Sequence, residues 1–64
     1  MFLNDKIRLL IRRERKEQKL SQKDMAEKMF ISKSGYAKLE RGERLYNTRT
    51  IEQAFAALNK PIIL

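Results

Sequence analysis

Apolar residues recur at helical spacing along most of this chain. Leu3, Ile7, Leu10 and Ile11 fall at i, i+4, i+7 and i+8, one stripe on a helix surface. With Asn4 as an N-cap, they predict a first helix from about Asp5 to Gln18. Ser21 with Asp24 three residues on has the form of a capping box, and Leu20 with Met25 has the spacing of a hydrophobic staple. A second helix is therefore expected from Ser21 to Met29 or Phe30, burying Met25, Ala26 and Met29. Ser32 is the next N-cap, Ile31 and Tyr36 repeat the staple spacing, and Gly42 stops a third helix after Arg41. Tyr36 and Leu39 are its apolar anchors. Past a loop at Glu43–Tyr46, Asn47 caps a fourth helix over about Thr48–Leu58, with Ile51, Ala54, Phe55 and Leu58 as its stripe.

Pro61 ends helical structure. The tail Pro61-Ile62-Ile63-Leu64 is apolar and β-branched, which allows a short C-terminal β-strand. Such a tail either packs back on its own chain or meets the same segment of a second chain. The pattern as a whole predicts an all-α fold, a single domain over residues 1–64.

Only Phe30, Ile31 and Ser32 separate the second and third helices. Helices joined so tightly cross steeply and pack on each other, and the small Ala26 suits that contact. On a wheel of 100° per residue, Tyr36 and Leu39 point one way. Ser34, Ala37, Lys38 and Arg41 point roughly the opposite way, with Lys33 flanking them. Taken alone, this outer face reads more readily as a solvated helix surface. It also has the size and charge to enter a major groove, where Lys donates to guanine O6 and N7.

The run Leu20-Ser21-Gln22-Lys23-Asp24-Met25-Ala26-Glu27-Lys28-Met29 resembles the "L-S-Q-x-x-L-A-x-x-x" of the XRE family, the Cro/cI-type helix-turn-helix domain. Ile31-Ser32-Lys33-Ser34-Gly35-Tyr36-Ala37-Lys38-Leu39-Glu40-Arg41-Gly42 resembles its "V-S-x-x-x-I-S-x-x-E-x-G". The likeness covers residues 11 to 58, with the helix-turn-helix at about 21–41, and implies a phage-repressor-like domain of four or five helices. By position it implies that Gln22 contacts phosphate. Ser32, Lys33, Ser34 and Lys38 fall at base- and phosphate-reading positions, and Arg41 and Arg44 near phosphate. Arg15 and Glu40 match a partly buried ion pair joining the first helix to the third, although Arg15 reads also as a phosphate contact or a solvated side chain. From Asn47 onward the chain resembles HipB-type antitoxins, in which a strand after the last helix pairs across a two-fold axis. That likeness makes Ile62, Ile63 and Leu64 a dimer interface.

Two positions depart from the family pattern. Phe30 stands where the turn usually has glycine or another small residue, and a positive φ there strains a phenylalanine. Gly35 lies inside the recognition helix, at a cost of about 0.5–1 kcal/mol against alanine.

Composition narrows the partners. Fifteen Lys and Arg against eight Asp and Glu give a net charge of +7 in 64 residues, which suits a polyanion. With neither Cys nor His, disulfides and a structural zinc site are ruled out, so a domain this small leans on helix packing, dimerisation or both. No nucleophile–base pair or phosphate loop is present, so neither enzymatic activity nor a cofactor or metal is expected. No segment approaches the roughly 18 apolar residues of a membrane span and the N-terminus does not read as a signal peptide, so a cytoplasmic protein without membrane contact is expected. The expected partner is double-stranded operator DNA, bound by a homodimer that represses by occlusion. The alternatives are an antitoxin whose main partner is a toxin protein, and an unspecific basic binder of polyanions.

Overall fold

The computed structural model describes residues 2–62. Four α-helices follow one another: α1 (Leu3–Glu17), α2 (Gln22–Met29), α3 (Lys33–Arg41) and α4 (Thr48–Ala57). There is no strand among the described residues. Pro61 and Ile62 belong to no regular element, and Ile63 and Leu64 lie outside the described residues.

The helix starts follow local chemistry. Ser21 accepts from the Asp24 N–H at 2.9 Å while the Asp24 carboxylate accepts from the Ser21 N–H at 3.0 Å, so two otherwise orphaned donors are satisfied. Asn47 and Thr50 make the same reciprocal pair at 2.8 Å each way. The Ser32 hydroxyl accepts from the Gly35 N–H at 3.0 Å. α1 departs from expectation. It begins at Leu3, and its N-cap Phe2 offers no side-chain acceptor. Asn4 lies inside the first turn and bonds the distant Tyr46 backbone instead. Leu3, placed by periodicity on the buried stripe, is 62% exposed.

The ends share one solution. After α1, α2, α3 and α4 a single residue turns left-handed: Lys19 (φ 59°), Phe30 (φ 60°), Gly42 (φ 82°) and Asn59 (φ 55°). In each case the next amide reaches back five residues, Leu20 to Arg15, Ile31 to Ala26, Glu43 to Lys38 and Lys60 to Phe55. This is Schellman-type closure, which satisfies carbonyls that would otherwise lack partners.

α2 packs on both α3 and α4, and α1 closes over α3 and α4. The shared core is Ile7, Ile11, Met25, Ala26, Met29, Tyr36, Leu39, Tyr46, Ala54, Phe55 and Leu58. Fully burying a large member of this set contributes roughly 1.5–3 kcal/mol. Ala26 is buried where α2 meets its neighbours, and its single methyl group allows the close approach that the short turn demands.

Candidate nucleic-acid interface

α3 has two chemically distinct sides. Gly35, Tyr36, Leu39 and Glu40 are buried; Lys33, Ser34, Lys38 and Arg41 are exposed, with Ala37 between them. The two sides follow from the 3.6-residue period and from the Ser32 cap and Gly42 stop that set the helix length. From Met29 to Leu39 the chain carries no carboxylate, and Glu40 is turned inward. Within α3 the outer face therefore presents Lys33, Lys38 and Arg41 with no acid of the helix among them, and Glu43, just past its end, pairs with Arg41.

Glu40 organises the inner side. Arg15 Nε donates to Glu40 Oε1 at 2.9 Å, and Tyr36 Oη donates to the same oxygen at 3.2 Å. The Gln22 amide nitrogen donates to Oε2. One carboxylate thus takes hydrogen bonds from α1, α2 and α3. Arg15 Nη1 also reaches the Leu20 carbonyl at 2.7 Å, between α1 and α2. Arg15 and Glu40 are each only 7% exposed, so the pair fixes geometry more than it adds net stability.

The charges respond to this setting. Burial alone would raise the Glu40 carboxyl, but the hydrogen bonds from Gln22 and Arg15, with the Arg15 charge, outweigh it and hold the group below its ordinary range. Burial opposes the Arg15 charge, yet the Glu40 contact leaves its pKa raised. Tyr36 is pushed far up, first by burial and then by the Glu40 charge, so its hydroxyl stays a donor.

The site residues expected from sequence occupy different settings. Gln22 opens α2, half-buried, with one amide hydrogen committed to Glu40. Ser32 Oγ accepts from Gly35 N–H and lies 3.4 Å from Ser34 Oγ. Lys33, Ser34 and Lys38 are exposed on the outer face. Arg41 is exposed but ion-paired with Glu43, a surface pair that an incoming phosphate can displace. Arg44 does not trail away past the helix end. A Cβ built on Gly35 would stand 3.4 Å from Arg44 Nη1 and 3.0 Å from Ser32 Oγ, so the guanidinium folds back along α3 beside Gly35.

Arg8 was not singled out from sequence. Its Nε pairs with Asp5 at 3.1 Å and its Nη1 lies 3.5 Å from the Glu40 carbonyl. A Cβ on Gly42 would stand 3.1 Å from Arg8 Nε, so Arg8 braces the end of α3. The signal that points to it is Gly42 itself, where both a left-handed turn and close approach demand a missing side chain.

A helix-turn-helix family model matches residues 11–64. No curated protein matches the chain. A solved structure, that of a mutant of the restriction-modification controller protein C.Esp1396I, superposes with a TM-score of 0.89 at 24% identity. The match covers 95% of this chain and 79% of that one, a likeness of fold.

Proposed function

Since this chain belongs to the helix-turn-helix family, of the XRE type, we propose that it binds a palindromic operator as a two-fold homodimer, with α3 in the major groove, and acts as a repressor or autoregulator. Membership supports a DNA-binding transcription regulator. The observation that carries the operator reading is the exposed basic outer face of α3, presented on a helix that Glu40 ties to α1 and α2.

Each side chain then has a role. Lys33, Ser34 and Lys38 meet base edges, while Ser32, Arg41, Arg44 and the free hydrogens of Gln22 hold phosphate oxygens. The net charge of +7 makes phosphate contacts the larger share of affinity, and binding weakens as salt rises. Ile62, half exposed beside the described end of the chain, with Ile63 and Leu64 outside the described residues, contributes to the dimer contact. A two-fold dimer spaces its recognition helices about one DNA turn apart, roughly 34 Å.

The test is selection of DNA from a random duplex pool at near-physiological salt, read by sequencing. A palindromic consensus with half-sites about one turn apart is expected. A pool that shows no enrichment overturns the operator reading and directs the search to a protein partner such as a toxin.

A further inference from the structure

Phe30 carries two costs that the monomer does not repay. Ile31 N–H reaches Ala26 O at 3.0 Å and Phe30 N–H reaches Glu27 O at 3.1 Å, and this closure of α2 forces Phe30 left-handed at φ 60°, ψ 39°. Glycine takes that conformation freely and asparagine tolerates it, whereas a phenylalanine is strained. The corresponding residues after the other helices are Lys19, Gly42 and Asn59, so Phe30 is the apolar one. Its ring gains nothing from burial, because it is 90% exposed. Strain held at an exposed apolar side chain points to a contact made outside the monomer.

Position and charge select the occupant. Phe30 stands two residues before Ser32, the N-cap of α3, and the N-terminal end of a recognition helix is the end that meets base edges. On the operator reading, a side chain there would lie at the mouth of the major groove. Lys28 and Lys33 flank it, and no carboxylate occurs from Met29 to Leu39, which suits a polyanion over an acid-seeking or neutral protein surface. The apolar feature that a major groove offers is the thymine 5-methyl group.

We infer that Phe30 packs against a thymine methyl at the edge of each bound half-site and reads that base, an inference that rests on the operator reading above. It adds an apolar specificity contact to the polar ones of α3, and it comes from the turn rather than from the helix.

The experiment uses the full chain and its selected operator, with deoxyuridine replacing thymidine one position at a time to remove single methyl groups. Wild type is expected to lose about fourfold in affinity at one edge thymine, the equilibrium counterpart of one buried methyl. Phe30→Gly is expected to bind the unmodified operator as weakly as wild type binds that deoxyuridine site, and to lose nothing further there. Phe30→Asn is expected to behave like Phe30→Gly. Both variants should melt at or above the wild-type temperature, since they relieve strain without uncovering core. Equal deoxyuridine losses in wild type and variants at every position overturn the inference, as does an unchanged consensus with unchanged affinity. Loss of self-association in the variants, with the deoxyuridine response intact, assigns Phe30 to a second copy and overturns it too. A wild-type chain that selects no consensus fails earlier, at the operator reading itself.

Discussion

Asn4 and Tyr46 exchange two hydrogen bonds across 42 residues of chain: Asn4 Nδ2 donates to the Tyr46 carbonyl at 2.8 Å, and the Tyr46 N–H donates to Asn4 Oδ1 at 3.0 Å. This is a side-chain amide acting as a strand would, satisfying both backbone groups of a residue whose ring is buried in the core. It pins the loop after α3 to the first turn of α1. Arg44 springs from that same loop, so the contact bears on the interface as well as on stability.

Asn4→Ala is expected to cost about 2 kcal/mol, two hydrogen bonds at roughly 1 kcal/mol each. Chemical denaturation checks the value. Asn4→Asp keeps the acceptor for the Tyr46 N–H and loses the donor, and is expected to fall between the two. Equal stability of Asn4→Ala and wild type would remove Asn4 from any role in holding the loop.

Glu40 links stability to pH. Its folded pKa is depressed, so its contribution is fully present above the ordinary glutamate value near 4.3. That contribution is lost as pH falls through the lower folded value. Melting temperature is expected to hold steady through neutral pH and to fall in the acid range below about 4. Glu40→Gln leaves Arg15 buried without a counter-ion, at roughly 3–5 kcal/mol, and its remaining acid dependence should be shallower. Parallel acid profiles for the two proteins would assign the loss to other carboxylates.

Lys38→Ala is expected to weaken operator binding by about 1–3 kcal/mol and to relax preference at one base pair of each half-site. Competition titration against single-position operator variants reads this. Weakening that is uniform over all sequences, with a salt slope reduced by about 1, would instead mark Lys38 as a phosphate contact.

Gly35→Ala separates stability from binding. The new methyl would gain about 1 kcal/mol of helix propensity but stand 3.0 Å from Ser32 Oγ, disturbing a cap of similar worth. Net stability is expected to change little. Ser32 Oγ, given a phosphate oxygen on the operator reading, must yield by a few tenths of an ångström, so DNA affinity is expected to fall modestly, while Arg44 Nη1 at 3.4 Å meets the methyl in ordinary contact and keeps its place. Undiminished binding by Gly35→Ala would show that Ser32 Oγ does not hold a DNA phosphate from its capping position.

The amino-acid sequence by itself determined those features whose physics is local. Helical periodicity placed Met25, Ala26, Met29, Tyr36 and Leu39 inside. The caps at Ser21, Ser32 and Asn47 and the stop at Gly42 act over three to five residues, and all appear where short-range patterns put them. The exposed face of α3 follows from the same period. Arg15 and Glu40 came instead from likeness to a family, because nothing local joins residues 25 apart. Only the tertiary structure decided what depends on distant partners. Asn4 left its expected cap for Tyr46, since two backbone bonds in the first turn outweigh one cap. Leu3 stayed exposed because none of the four described helices covers the end of its stripe. Arg8 found the end of α3, using room that the missing Cβ of Gly42 leaves, and Arg44 folded onto Gly35. Phe30 combines both: its left-handed turn is set by backbone bonds to α2, while its exposure was decided only when four helices closed a core that left it outside.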